Sequence, residues 1–285
     1  MVGNNILGRI RSVLDDLPNS EKKIGEYILM HPEETIKMTT AQLGEAAESN
    51  STAVIRLCNR IGINGFTKLK VNLSAEIVSV DEAGYAEIKP EENTYTIKNK
   101  LLGNAFKSME ETLALMDEDD LERITELIYN ASIVYVYGVG ASRLVAENIV
   151  QKWSRIGKTM ICPTDDHQLV ALLTAAPKNA LFFSVSSSGE TKEIITLIKI
   201  AEKYHVKTIG LTQFGHNTLA QKVNYHLQTV KTQDASANSI VTNSLHAQII
   251  AVDVLFYTYA SKDFNNVSEK IKRSREELVH YKRKV

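Results

Sequence analysis

Apolar side chains recur at helical spacing through most of the first 130 residues. The runs predict helices over 5–17, 20–30, 40–47, 51–61 and 66–78, with breaks at Pro18 and at His31-Pro32, and two more over about 96–116 and 118–130. No segment of the first 78 residues alternates as a strand would. Residues 79–95 are acidic, carry Gly84 and Pro90 and lack a period, which predicts a linker. From residue 132 the texture changes. Short apolar runs at Ile133–Tyr137, Thr159–Cys162, Leu181–Val185, Thr208–Leu211 and Tyr225–Thr229 alternate with helical stretches such as 190–204 and 236–260, and a strongly charged helix is predicted over 265–284. Such alternation predicts a five-stranded parallel sheet flanked by helices. The expected organisation is an all-α domain over 1–78, a linker over 79–95 and an α/β domain over 96–285. Ligands of such sheets bind beyond the carboxyl ends of the strands.

Within the helical part, "TTAQLGEAAESNSTAVIRLCNRI" (39–61) predicts two short helices joined by a tight turn. Thr39 and Gln42 have capping-box spacing, Glu48-Ser49-Asn50 makes the turn, and Asn50 or Ser51 caps the second helix. Val54, Leu57, Cys58 and Ile61 would face inward. Ser51, Thr52, Ile55, Arg56 and Asn59 would face outward, as the reading helix of a helix-turn-helix presents itself to a major groove. Between Ser51 and Leu73 the only charged residues are Arg56, Arg60, Lys68 and Lys70, all basic, whereas residues 1–50 hold more acids than bases. A plain solvated face would mix the signs. With a net charge of −1 for all 285 residues, a surface that attracts DNA must be local, and this segregation supplies one.

The second half carries two hydroxyl-rich loops. In "FFSVSSSGETKEII" (182–195) an apolar strand runs into a helical pattern through Ser186, Ser187, Ser188, Gly189 and Thr191. A helix start offers unpaired N–H groups and a partial positive charge, so added hydroxyl donors suggest a phosphate seat. "YGVGASRLVAENI" (137–149) opens with Gly138 and Gly140, but Arg143 stands where a dinucleotide fingerprint needs its third glycine, leaving Gly-x-Gly-x-Ser with Ser142 at a helix start. No nucleoside triphosphate loop is present. "TDDHQ" (164–168) is too local to surround a metal ion, and no cofactor is expected. Cys58 and Cys162 read as buried thiols, no apolar leader opens the chain, and the apolar stretch near 249–260 is broken by Asp253; these features predict a cytoplasmic protein that does not enter a membrane.

"LPNSEKKIGEYILMHPEE" followed by "AVIRLCNRIGINGFTKLKVNLSAEI" resembles the N-terminal domain of RpiR-family bacterial regulators, through Ser20-Glu21-Lys22-Lys23-Ile24, Val54–Ile61 with Gly62 one residue offset, and Gly65–Lys70. It departs at Asn50, where the family often has Ser. "SSSGETKEI" with "GVGAS" resembles the sugar isomerase (SIS) domain, over about 120–262. The two resemblances together imply a regulator that binds operator DNA through Asn50, Ser51, Thr52, Ile55, Arg56, Asn59, Arg60, Lys68 and Lys70. They imply a phosphosugar effector, an amino sugar phosphate by analogy, held by Gly140, Ser142, Ser186, Ser187, Ser188, Gly189 and Thr191. Asn243-Ser244 stands where the family often has Ser-Arg; Asn243, Ser244 and His246 are then candidates for the sugar hydroxyls. A homo-oligomer, at least a dimer, would read two half-sites. The rival reading is an aldose–ketose isomerase, whose acid and base would come from Glu190, His205, His216, His226 or His246. An isomerase has no use for a basic helix-turn-helix, which favours the regulator.

Overall fold

A computed structural model describes residues 6–77, 86–232 and 242–284 of the chain. The helical part contains α1 (Ile6–Val13), a 3-10 turn at Leu14–Asp16, α2 (Asn19–Met30), α3 (Pro32–Thr35), α4 (Thr40–Ala46), α5 (Ser51–Arg60), α6 (Phe66–Ile77) and α7 (Thr94–Leu115). The short α3, with Pro32 in its first turn, was not expected from the sequence: four residues are too few to show a period. The first compact unit runs to Met116 and includes Gln213–His216 and the described part of Gln228–Ala247. Its core gathers Ile10, Ile24, Ile28, Leu43, Val54, Leu57, Cys58, Ile61, Leu69 and Leu73, with Phe214 packed against it. Arg9, largely buried, donates from Nη1 to the carbonyl of Ile61 at the end of α5, 3.0 Å away. Arg11 and Glu111 pair at 2.8 Å, and the Lys231 amide donates to Ser12 Oγ at 2.9 Å.

The described part of the predicted linker is held by hydrogen bonds to α7. Residues 79–85 lie outside the described part. Residues 86–93 run along α7: Asn104 accepts from the Ala86 amide at 2.7 Å and donates back to its carbonyl at 2.9 Å, while Lys100 reaches Glu92 and the Glu87 carbonyl. Asn93 then caps α7.

The second unit comprises Asp117–Thr212, Asn217–Leu227 and the residues from Gln248 on. The elements after α7 are α8 (Glu118–Asn130), β1 (Ile133–Gly138), α9 (Ala141–Ser154), β2 (Met160–Ile161), α10 (Asp166–Thr174), β3 (Ala180–Val185), α11 (Lys192–Lys203), β4 (Lys207–Gln213), α12 (Thr218–Lys222), β5 (Tyr225–Thr229), α13 (Asn243–Ser261) and α14 (Phe264–Lys284), of which Gln213, the end of β5 and the start of α13 fall in the first unit. The five strands lie in the order β2-β1-β3-β4-β5, with β1 parallel to β2 and β3, and β3 parallel to β4. Every residue of β3 is buried, as a central strand covered on both faces requires. Trp153 of α9, fully buried, meets the Phe256 ring edge-on at 4.9 Å. The helix expected over 236–260 begins at Asn243; residues 236–241 lie outside the described part. The strand order reverses its direction of growth between β1 and β3, so the loops after these two strands flank the switch point of the sheet. They are the two hydroxyl-rich loops of the sequence.

Candidate functional site

Ser186 continues β3, its amide donating to the Leu211 carbonyl at 3.0 Å. The loop then closes on itself. Ser186 Oγ lies 2.9 Å from Thr191 Oγ1 and accepts from the Gly189 amide, and Ser188 Oγ accepts from the Glu190 amide, both at 3.2 Å. Thr191 occupies the N-cap position of α11 without capping it. The first amides of α11 therefore keep their unpaired donors. Capping alone does not account for this run of hydroxyls, because the residue placed to cap turns its hydroxyl back into the loop. Ser186, buried, is spent inside the loop rather than presented to a ligand. Ser188 is exposed and, since it accepts from the loop, its O–H is left to donate; Ser187 and Thr191 are half-buried.

A second layer fixes this loop. Glu190 accepts from the amide and the hydroxyl of Thr218, both at 2.7 Å. The Glu190 carboxylate, a candidate acid or base in the isomerase reading, clamps the first turn of α12. The carbonyl of Gly189 accepts from the Leu219 amide at 3.0 Å. Asn217 caps α12 through Oδ1 on the Ala220 amide and donates from Nδ2 to Thr212 Oγ1, both at 2.8 Å. His226 Nε2 approaches the same Thr212 hydroxyl at 3.4 Å.

Burial pushes the His226 imidazole from its ordinary 6.5 down to about 4. The unfolded chain takes up this proton near 6.5 while the folded chain refuses it, so stability from this group is full above that pH and declines as pH falls toward 4. Between pH 7.5 and 5.0 the loss should approach 2 kcal/mol, an order-of-magnitude figure. Urea titrations at both pH values should show the difference shrink in His226→Gln; an undiminished difference would assign the acid sensitivity elsewhere.

On the β1 side, Gly140 is the N-cap of α9 and offers no side chain, and Ser142 is half-buried in the first turn. Arg143 pairs with Glu147 at 2.9 Å and donates to the Thr164 carbonyl at 3.0 Å, tying α9 to the loop before α10. Asp165 caps α10, accounting for one acid of the "TDDHQ" run. At the start of α13, Asn243 and Ser244 are buried and His246 is half-buried, with Nδ1 shielded from solvent and without a partner. These three belong to the first compact unit, the two loops to the second.

The paired short helices stand as the spacing predicts. Thr39 and Gln42 form the full capping box of α4, and Asn50, not Ser51, caps α5 through Oδ1 on the Ala53 amide at 2.9 Å. Glu48, at φ +47°, turns the chain between them. Ser51, Thr52, Ile55, Arg56, Asn59 and Arg60 are exposed, while Ala53, Val54, Leu57 and Cys58 are buried. Desolvation lifts the Cys58 thiol to about 11, so it remains a protonated core group.

Three cations differ from their expected freedom. Lys70 donates to the Met38 carbonyl at 3.0 Å and lies 5.4 Å from the centre of the Phe66 ring, which makes it a strut as well as a charge. Arg56 and Arg60 both meet the buried carboxylate of Glu21, at 3.5 and 2.9 Å. In sequence Glu21 stands only within the Ser-Glu-x-x-Ile motif; its partnership with Arg60 spans 39 positions and has no local signal. Lys68 is exposed.

Residues 4–79 match the helix-turn-helix domain of the rpiR family and residues 127–258 match the SIS domain. The chain is 36% identical over 269 residues to the HTH-type transcriptional regulator YbbH of Bacillus subtilis, with 94% of this chain and 95% of that protein covered. It is 25% identical over 275 residues to the HTH-type transcriptional regulator HexR of Pseudomonas aeruginosa, covering 96% of each. Vibrio vulnificus NanR, solved in complex with ManNAc-6P, shares the fold at a TM-score of 0.60 and 23% identity, over 97% of this chain and 98% of that one. The extent of the match to YbbH, carried through both domains, places this chain in the RpiR family of helix-turn-helix transcriptional regulators.

Proposed function

We propose that the protein reads operator DNA through the exposed face of α5 and that a phosphosugar, held at the β3–α11 loop with help from Ser142, sets how tightly it does so. The observation that carries the effector half is the withdrawn cap of α11: a helix start whose own threonine leaves its amides open, at the switch point of a parallel sheet, is built for an anion. The ligand of NanR supports an N-acetylhexosamine 6-phosphate as the first compound to test. In this reading residues 1–78 bind DNA, 79–95 connect, and 96–285 form the effector domain of a cytoplasmic homo-oligomer, at least a dimer. In this reading the protein acts without catalysis, and Glu190, within the loop, serves to hold Thr218.

The experiment is operator binding by fluorescence anisotropy with and without ManNAc-6P, beside calorimetric titration of the sugar phosphate alone. Linkage requires that a sugar which changes operator affinity be changed equally in its own affinity by the operator. Saturating sugar with an unaltered operator Kd removes the sensor reading. Isomer formation above the uncatalysed rate would move the protein to the enzyme class. Ser188→Ala should weaken the sugar phosphate about 10- to 150-fold, the effect of losing one hydrogen bond to a charged oxygen. Undisturbed titration of this variant would put the phosphate elsewhere.

A further inference from the structure

The first turn of α2 is built around the reading helix. Ser49, in the turn between α4 and α5, donates its hydroxyl to the Ser20 carbonyl at 2.7 Å. The next residue, Glu21, has a side chain only 3% exposed, and its two oxygens face Arg56 Nε at 3.5 Å and Arg60 Nε at 2.9 Å. The arginine side chains themselves remain 55% and 44% exposed. A carboxylate sealed from water needs its charge answered, and two guanidiniums answer it. The engagement is through Nε in both cases, so the terminal N–H groups are the part of each guanidinium left for an external acceptor. Those groups make the forked contacts to guanine edges and phosphates. Arg56 and Arg60 are four residues apart, on one face of α5, and one buried anion fixes both.

We propose that Glu21 is a positioning residue for DNA recognition: it holds Arg56 and Arg60 in a preset orientation, so that the reading face is ordered before DNA arrives. The proposal rests on the DNA-reading role of α5. An unanchored arginine would have to be ordered at the moment of binding, and its contacts would discriminate less between sequences.

Charge and position pull in opposite directions, which makes the idea testable. Glu21→Gln keeps the shape and removes a negative charge next to the DNA face. The full chain would be titrated against a duplex that the unaltered protein has selected from a random library, and against a scrambled duplex. For the selected duplex, affinity should fall about 10- to 100-fold; for the scrambled one it should hold or rise, because one more positive charge is unneutralised. Glu21→Asp retains the charge on a shorter arm and should also lose discrimination between the two duplexes, while Arg56→Ala with Arg60→Ala should leave Glu21→Gln nothing further to remove. A rise for both duplexes together would show that Glu21 merely offsets charge. A parallel fall for both, with a lowered melting temperature, would show that it only supports the fold. Either result overturns the proposal. If the unaltered protein selects no duplex at all, the DNA-reading role of α5 fails first and the proposal falls with it.

Discussion

Gly189→Ala should keep the sheet and lose the anion loop, with sugar phosphate affinity reduced more than 100-fold. Gly189 sits at φ +70°, where a β-carbon is itself strained by about 1–2 kcal/mol. A methyl group there would also stand 2.1 Å from Asn217 Oδ1 and 2.4 Å from its Cγ. A loose side chain would swing away from such a contact. Asn217 is only 4% exposed, holds the cap of α12 with Oδ1 and grips Thr212 with Nδ2, so moving it unmakes both bonds. The alternative is to move the loop, and then the Gly189 amide leaves Ser186 Oγ and Glu190 leaves Thr218. Either way the geometry that exposes the first amides of α11 is gone. Ser188→Ala removes one donor from an intact seat, whereas Gly189→Ala removes the seat, hence the larger loss. Calorimetric titration, with a melting curve to confirm that the variant is folded, measures it. Unchanged binding in a folded Gly189→Ala chain would mean that this loop does not hold the phosphate.

Local patterns carried the architecture, and long-range partnerships escaped them. The strand runs, the helices on either side of residue 96, the capping box at Thr39–Gln42 and the outward face of α5 are written in spacings of two to four residues, which is the range over which the backbone itself repeats. The exposure of Ser51, Thr52, Ile55, Arg56 and Asn59 follows from the burial of Val54 and Leu57 alone. By contrast, Glu21 finds Arg60 39 positions away, Lys70 finds the Met38 carbonyl 32 positions away, and Asn104 ties down residue 86 across 18. Nothing in the local spacing of these residues points to such a partner. The hydroxyl loop was half legible. Its composition pointed to an anion, but which hydroxyls bind each other and which face outward depends on where Thr212, Asn217 and Thr218 arrive from the next strand. That arrival is set by the register of β3 on β4, where Val185 pairs with Leu211.

Gly44→Ala should destabilise the N-terminal unit by about 1–3 kcal/mol and weaken operator binding at least tenfold. In an exposed helix interior the same substitution stabilises, because alanine is the better helix former by about 1 kcal/mol. The sign reverses here through a close crossing. Gly44 lies inside α4, buried, and a β-carbon on it would stand 2.8 Å from the Asn50 carbonyl carbon, 2.9 Å from the Ser51 nitrogen and 3.0 Å from the Asn50 Cα. All three are backbone atoms, so no rotamer relieves the contact. The turn is tight on the other side as well: the Ser49 amide donates to the Gly44 carbonyl at 2.7 Å, and Ser49 is held in turn by Ser20. Relief must come from pushing the start of α5 away from α4. That start holds the Asn50 cap and the exposed Ser51 and Thr52, the end of the helix that would enter a groove first. A shift of a few tenths of an ångström to one ångström there would misalign the proposed hydrogen bonds to base edges, while the hydroxyl loops belong to the other compact unit. The variant should therefore lose affinity for the selected duplex and stability of the N-terminal unit together, yet titrate with sugar phosphate as the unaltered chain does. If Gly44→Ala instead melts higher and binds the duplex as before, the approach of α4 to α5 does not set the position of the reading helix.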